Sequence, residues 1–302
     1  MNGETGCAVE FRHYREQDYQ AVCDFLIMLN EADKRYINWN WARFEWMYEH
    51  PEFDKDSKNY IGLWWERDRV VGAAIYDMYF GEAFCGVLPE YKELYRDVLI
   101  YARKYLCDDD GIAVAIEDDD TEKIQIAKNI GFEKIEQAEN IMACLIQEHR
   151  EYVLEEGIHI VEFDPGKESC QFDWLLWQGF DHGSDRDEFE KSGARIKQVR
   201  PHLNTALSLA AVNALNELVA YVCLWYDKST DYAYIEPVCT IPEYRGKGIA
   251  KSLLFEAFNR ANKMGANSAY VISDMDFYSK LGLKDYRHYS FYRADRSTLI
   301  EK

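Results

Sequence analysis

Two glycines among positive charges stand at residues 245–250, in "RGKGIA", between a strand-like run and a helix-like run. The free N–H groups at a helix start attract anions, and glycine allows the backbone to approach a phosphate closely. Arg245 and Lys247 would add charge-assisted hydrogen bonds. The spacing fits neither the P-loop nor the dinucleotide fingerprint, and it predicts a diphosphate site, with a plain glycine-rich turn as the alternative. The predicted phosphate-binding residues are Arg245, Gly246, Lys247, Gly248, Ile249 and Ala250.

The elements around this loop occur twice in the chain. Four short motifs recur in the same order at a nearly constant offset, which is the signature of an internal repeat. We therefore predict two domains, residues 1–150 and 151–302. The recurring pairs are "VEF" (9–11 and 161–163), "VVGAAIYD" and "LVAYVCLWYD" (70–77 and 218–227), "PEY" (89–91 and 242–244), and "NIGFEKI" and "KLGLKDY" (129–135 and 280–286).

Each repeat follows one order of elements: a strand, a helical stretch, a hairpin, the strand and helix around "PEY", a buried strand, a short helix and a last strand. Strands and helices alternate without the strict period of a parallel barrel. The sequence therefore predicts two mixed domains of the α/β (α+β) class.

Charge and composition exclude several classes of protein. The formal net charge is −19, with −14 in residues 1–150 and −5 in residues 151–302, so we expect no nucleic acid and no anionic membrane partner. The longest apolar run, 203–226, is too polar for a membrane span, and the first residues lack the features of a signal peptide. The eight cysteines contain no C-x-x-C. We therefore expect a cytoplasmic protein without a metal site.

The segment 239–254, "CTIPEYRGKGIAKSLL", resembles the GNAT acetyltransferases. Their signature is Arg or Gln, two residues, Gly, one residue, then Gly or Ala. The resemblance implies two GNAT-fold domains, each a mixed, mostly antiparallel twisted sheet flanked by helices. It also implies that residues 245–250 hold the pyrophosphate of acetyl-CoA, the acyl donor. The strand edge at Val238, Cys239 and Thr240 would then pair with the pantetheine arm, and Pro237 would mark an opened edge because it cannot donate to a ladder.

The family's second landmark is a tyrosine four residues before a Gly-Phe-like turn. Tyr278 lies four residues before Gly282, with leucine in place of the usual phenylalanine. The resemblance implies that Tyr278 is the general acid that protonates the departing thiolate, a role worth about 10²–10⁴ in rate. The alternative is that Tyr278 only packs.

Glu236 is the candidate general base that takes the proton of an amine acceptor, directly or through water. A surface or structural role is equally compatible with the sequence. Asp227 and Asp231 are the fallback carboxylates, and His182 and His202 are expected to be structural.

The first repeat has lost both features. Its "PEYKELYRDVL" contains no glycine, Glu93 stands where a phosphate would lie, and Ala127 takes the place of the tyrosine. We predict that residues 1–150 keep the fold without binding the cofactor. The aromatic segment 35–50 is expected to pack helices between the two domains, or alternatively to line an acceptor pocket. The segment 183–202 is expected to be a solvated loop or a cover for the acceptor.

These features predict an N-acetyltransferase that moves an acetyl group directly to a primary amine of a small-molecule acceptor, and the acidic net charge favours a cationic one. The protein would be a monomer or a homodimer. Two alternatives are a non-catalytic CoA-binding regulatory or scaffold protein and an aminoacyl-tRNA-dependent ligase. The acidic charge and the intact glycine loop oppose the second of these.

Overall fold

The structure is a computed structural model, and the described residues form two compact units. The first unit comprises described residues of 8–48, 52–141 and 285–296, and the second comprises those of 142–284 together with 49 and 50. The described residues are 8–50, 52–167, 169–193 and 202–296.

The first unit contains seven strands in the order β1-β2-β3-β4-β5-β12-β6. Strands β1 to β4 pair antiparallel, β4 meets β5 in parallel, and β5 pairs antiparallel with β12. Its elements are β1 (Glu10–His13), α1 (Tyr19–Ala32), α2 (Trp41–Glu49), β2 (Gly62–Glu66), β3 (Arg69–Asp77), β4 (Tyr79–Val87), α3 (Tyr95–Tyr105), β5 (Ile112–Glu117), α4 (Thr121–Asn129), β6 (Glu133–Leu145) and β12 (Lys284–Ala294).

The second unit repeats this plan with the order β7-β8-β9-β10-β11, and the end of β6 lies next to β11. Strands β7 to β10 pair antiparallel, and β10 meets β11 in parallel. The predicted mixed, mostly antiparallel α/β class is confirmed. The elements are β7 (His159–Glu162), α5 (Ser169–Gly179), α6 (Arg186–Ser192), β8 (Ser208–Val212), β9 (Leu218–Tyr226), β10 (Tyr232–Thr240), α7 (Ile249–Met264), β11 (Ser268–Ile272) and α8 (Asp276–Lys280).

Helix α7 is fixed by one apolar face. Leu253, Leu254, Ala257 and Phe258 are fully buried in the core of the second unit. Each large apolar side chain contributes about 1.5–3 kcal/mol by leaving water. Gly265, in the left-handed conformation, ends the helix as a C′ glycine does. This packing holds the first turn of α7 at the end of β10.

The compact units do not coincide with the sequence repeats at the C-terminal end. The repeat pattern assigns the last strand to residues 151–302, whereas β12 belongs to the first unit and pairs there with β5. Periodicity in one strand cannot show which sheet that strand joins. Within the described ranges, no helix has both the length and the apolar character needed to span a bilayer.

Candidate active site in the second unit

Strand β10 separates from β11 halfway along its length. Their parallel pairing covers Tyr232 to Tyr234, and the pairing of β10 with β9 is interrupted between Ile235 and Val238. Glu236 and Pro237 form this bulge, in agreement with the predicted irregularity at the proline. The backbone from Val238 to Thr240 therefore follows a point where the sheet has opened.

A short 3₁₀ turn, Pro242–Tyr244, leads from β10 to the glycine loop. Gly246 has φ +77° and Gly248 has φ +76°, and α7 begins at Ile249 with no side chain capping it. In the described part of the chain, none of the N–H groups from Gly246 to Lys251 donates a hydrogen bond to a protein atom. Six consecutive donors are thus available at the positive end of a 16-residue helix.

Both glycines are required by their backbone conformation. A Cβ atom placed on Gly246 or Gly248 would meet no heavy atom within 4 Å, so space does not exclude a side chain. A residue other than glycine at such a φ costs about 1–2 kcal/mol. The glycines therefore set the path of the loop that exposes the N–H groups.

Arg245 braces this loop. Its Nε donates to the Thr240 carbonyl at 3.0 Å, and its Nη2 donates to the Gly179 carbonyl at 2.9 Å. The same Nη2 lies 2.9 Å from Asp181 Oδ1. The guanidinium thus ties the loop to the end of β10 and to the C-terminus of α5. Sequence reasoning assigned it only a phosphate contact, because Gly179 and Asp181 lie more than 60 residues earlier.

A cavity of about 690 Å³ connects the strand edge with the glycine loop. Eight of the nine predicted cofactor-binding residues line it. The exception is Lys247, whose Nζ lies 3.5 Å from Glu155 Oε1 and 4.7 Å from the Tyr244 ring centre. Sequence reasoning missed Lys251 and Lys280, which bring positive charge to the wall. The residues lining the cavity are Gly179, Phe180, Asp181, Val238, Cys239, Thr240, Tyr244, Arg245, Gly246, Gly248, Ile249, Ala250, Lys251, Met275, Phe277, Tyr278, Lys280 and Leu281.

Tyr278 lies on α8, and only 8% of its surface is exposed, on the wall of this cavity. No hydrogen bond from its hydroxyl to another described residue contributes to its ionisation. Burial raises the pKa of the phenol well above its usual range, and the nearby charge of Glu236 raises it further. A protonated, desolvated phenol facing a cavity can donate its proton to a group that enters there.

Glu236 lies close enough to influence Tyr278 but is not part of the cavity wall. Tyr234 Oη donates to Glu236 Oε2 at 3.0 Å, and Trp225 Nε1 donates to the Glu236 carbonyl at 2.6 Å. The half-buried carboxylate is thus oriented at the bulge. From this position a proton would reach it through an intervening water or acceptor group.

The fallback residues have structural surroundings or lie away from the cavity wall. Asp227 Oδ1 accepts from the Ser229 N–H at 2.7 Å in a turn, and the His182 ring lies 5.0 Å from the Trp177 ring. Neither they nor Asp231 and His202 line the cavity.

The structure describes most of the two segments, 35–50 and 183–202, that were candidates for lining or covering the acceptor site. In the segment 35–50, Trp41 and Phe44 are buried and belong to the first unit. In the segment 183–202, residues 186–192 form α6, and residues 194–201 lie outside the described residues.

Comparison with known families agrees with this geometry. Residues 170–283 match the model of the acetyltransferase (GNAT) family. Residues 170–283 are therefore assigned to the GNAT family. This match includes the glycine loop and Tyr278, so the predicted family resemblance is confirmed. No curated protein is similar enough to match.

Solved structures extend the GNAT assignment to the fold of the whole chain. A GCN5-related N-acetyltransferase from Sphaerobacter thermophilus is 16% identical with a TM-score of 0.55, covering 97% of this chain and 98% of its own. A tandem GNAT protein from the clavulanic acid biosynthesis pathway is 13% identical with a TM-score of 0.60, covering 96% and 99%. The N-myristoyltransferase of Saccharomyces cerevisiae, solved with myristoyl-CoA, is 11% identical with a TM-score of 0.52, covering 97% and 82%. The tandem GNAT fold is therefore confirmed.

Proposed function

We propose that this GNAT protein transfers an acetyl group from acetyl-CoA directly to a primary amine of a small-molecule acceptor. The acyl donor binds the second repeat, residues 151–302, through the glycine loop and Tyr278 of the second unit, and the first repeat, 1–150, keeps the fold without a cofactor. The observation that carries the proposal is the row of unpaired N–H groups from Gly246 to Lys251, which opens into the same cavity as Tyr278.

The phosphate end of the donor fits the glycine loop. The N–H groups and the helix dipole stabilise a diphosphate, and Lys251 and Lys280 contribute positive charge at the wall. Arg245 maintains the loop through its contacts with Thr240 and Gly179. Val238 to Thr240 offer main-chain groups to the amides of the pantetheine arm.

The chemical step needs one base and one acid. Glu236 accepts the proton of the acceptor ammonium, through water, so that the nitrogen lone pair can attack the thioester carbonyl carbon. The new C–N bond forms, the attached nitrogen loses its second proton to water, the C–S bond breaks, and the electron pair of that bond leaves on sulfur. Tyr278 donates its phenolic proton to that thiolate, and the proton returns to Tyr278 from solvent or through Glu236. The products are the N-acetylated amine and the free thiol.

Calorimetric titration with acetyl-CoA tests the cofactor assignment. The wild type is expected to bind one acetyl-CoA per chain, and Gly248→Glu is expected to abolish binding because a carboxylate would lie among the phosphate-binding N–H groups. Gly193→Glu is the matched control, since Gly193 also has a left-handed φ of +66° with no atom near its Cβ position. Two sites would contradict the account of the first repeat, and no binding would leave only a shared fold.

A panel of primary amines then tests the activity by thiol release from acetyl-CoA. Turnover with an amine supports the transferase. Saturable binding of acetyl-CoA without thiol release for any amine would instead favour the non-catalytic CoA-binding protein. Salt-sensitive binding of aminoacyl-tRNA would favour the ligase.

A further inference from the structure

The turn that follows α8 is held by an arginine from a distant part of the sequence. Arg150, in the connection between β6 and β7, donates from Nη1 to the Leu281 carbonyl at 2.7 Å. Its Nη2 donates to the Leu145 carbonyl at 2.9 Å. The planar guanidinium thus bridges the end of β6 and the turn beside the candidate active site, a geometry that a lysine cannot reproduce in full.

Arg150 is itself fixed in place from α7. Its backbone N–H donates to Asn259 Oδ1 at 2.9 Å, and Asn259 Nδ2 donates back to the Arg150 carbonyl at 3.0 Å. The guanidinium carbon lies 5.2 Å from the centre of the Phe255 ring and 5.1 Å from that of Phe258. Both ends of the residue are therefore restrained, so its hydrogen bonds can be made at a low entropy cost.

The brace reaches Tyr278 through a single residue. The Leu281 N–H donates to the Tyr278 carbonyl at 3.0 Å, while the Leu281 carbonyl accepts from Arg150. Helix α8 has only five residues, and no side chain caps its N-terminus. So short a helix depends on its tertiary contacts for a fixed position.

The first unit has the same brace without the phenol. Arg103 Nη1 donates to the Ile130 carbonyl at 2.6 Å, directly before Gly131, which corresponds to Gly282. The residue that corresponds to Tyr278 there is Ala127. An arginine bracing this turn thus occurs in both units, although it comes from α3 in one and from the β6–β7 connection in the other.

We propose that Arg150 is a positioning residue that sets the place of Tyr278 in the cavity. Its catalytic consequence rests on the proposed acetyl transfer, whereas its structural consequence does not. Misplacing an acid by about 1 Å can cost up to about 10²-fold in rate. Loss of the brace is therefore expected to lower kcat and to leave the KM for acetyl-CoA nearly unchanged, because Arg150 does not line the cavity.

The test compares Arg150→Met with Arg103→Met, using two readouts. In protein labelled with 3-fluorotyrosine, the Tyr278 fluorine resonance is identified by its loss in Tyr278→Phe. We expect this resonance to shift or broaden in Arg150→Met and to stay unchanged in Arg103→Met, although both variants lose thermal stability. Thiol release from acetyl-CoA should fall about 10- to 100-fold in kcat for Arg150→Met only. Arg150→Lys keeps one donor, so its Tyr278 resonance and its kcat should lie between those of Arg150→Met and Arg103→Met. It replaces Arg150→Met in the test if that variant does not fold.

An unchanged Tyr278 resonance in folded Arg150→Met, or in Arg150→Lys if only that variant folds, would overturn the proposal. An equal shift in Arg103→Met would do the same, because it would show a general loss of stability. If the wild type neither binds nor turns over acetyl-CoA, the proposed function fails, and the fluorine resonance alone still decides the role of Arg150.

Discussion

The two units form the same backbone hydrogen bonds where the strand before "PEY" ends, yet they treat the following residues differently. The Leu88 N–H donates to the Val71 carbonyl at 2.9 Å, and the Ile241 N–H donates to the Val219 carbonyl at 3.0 Å. In the first unit the backbone kinks at Tyr91, and a second 3₁₀ turn through Leu94 then runs directly into α3. In the second unit the turn stops at Tyr244 and the two left-handed glycines follow. A few residues of one loop therefore decide whether the glycine loop or a turn of helix precedes the first residue of the following α-helix.

The strands that lead to these loops differ as well. In the first unit, β4 pairs with β3 continuously from Ala83 to Val87. In the second unit, Glu236 and Pro237 interrupt the corresponding pairing. The uninterrupted strand keeps its backbone in the ladder, whereas the bulged strand turns part of its backbone toward the cavity.

The cavities beside the N-termini of α3 and α7 also differ in size. The second unit has the cavity of about 690 Å³, and the corresponding region of the first has one of about 100 Å³. Around the small cavity, Asp120 Oδ2 lies 3.1 Å from Arg35, and Lys123 lies 3.9 Å from the Tyr36 ring centre. Protein cations and carboxylates thus neutralise one another where the second unit leaves its N–H groups unpaired.

Tyr278 and Ala127 occupy equivalent positions in this comparison. The Leu283 N–H donates to the Tyr278 carbonyl at 3.1 Å, and the Phe132 N–H donates to the Ala127 carbonyl at 3.0 Å. The turns agree in backbone, in their positive-φ glycine and in the arginine that braces them. The proposed chemistry of the second unit therefore depends on side chains that the first unit lacks on the same backbone.

The largest expected effect comes from making the second unit resemble the first at this position. Tyr278→Phe removes the candidate proton donor and should lower kcat about 10²–10⁴-fold, equivalent to about 3–5 kcal/mol, with the acetyl-CoA affinity retained. Thiol release and calorimetry measure the two quantities. Tyr79→Phe, at an exposed position in the first unit, is the control. An unchanged kcat in Tyr278→Phe would return Tyr278 to a packing role.

A smaller effect, on the free energy of unfolding, is expected from removing the ion pairs of Asp120 beside the small cavity of the first unit. Asp120 is 3% exposed and caps α4 by accepting from the Lys123 N–H at 3.2 Å, and it also pairs with Arg35. Asp120→Ala should lower the free energy of unfolding by about 1–2 kcal/mol, because it removes the cap of α4 and one carboxylate partner of Arg35 and Lys123, which both keep Asp33. Denaturant titration measures this loss, and Glu122→Ala, an exposed neighbour, should change stability by less than about 0.5 kcal/mol.

The same variant also sharpens the comparison of the units. Acetyl-CoA should still bind Asp120→Ala at one site, since the first unit lacks the glycine loop. Binding of a second acetyl-CoA would show that the ion pairs of Asp120, and not the missing glycine loop, prevent cofactor binding to the first unit.

The sequence predicted those features that depend on local backbone chemistry. Gly246, Gly248 and Gly265 were recognisable because few other residues adopt a positive φ, and Pro237 because it cannot donate to a ladder. The glycine-loop residues of the cavity wall followed from the same local pattern, although Lys247 turns toward Glu155, and Val238, Cys239 and Thr240 followed from the family resemblance.

Features that depend on tertiary contacts could not be predicted. Arg245 reaches Gly179, and Arg150 reaches Leu281, across separations of 66 and 131 residues. The pairing of β12 with β5 is likewise decided by the fold. No spacing rule connects residues so far apart, because their proximity is produced only by the packing of the sheet and helices.

The smallest expected effect is on the pH dependence of Tm, which Tyr278 influences and a residue without a phenol, such as Ala127 in the first unit, does not. Burial raises the pKa of Tyr278 above its unfolded value of about 10, so the phenol stays protonated in the folded protein at pH values where it ionises in the unfolded chain. A raised folded pKa stabilises the protein fully below the unfolded pKa, and this contribution is lost as the pH rises through the folded value. Tyr278→Phe should therefore have nearly the same pH dependence of Tm as the wild type below pH of about 9. Above pH of about 10 the wild type should lose Tm faster than the variant, as followed by thermal unfolding at increasing pH. Parallel curves over this whole range would mean that the phenol titrates as it does in water and is not desolvated against the cavity.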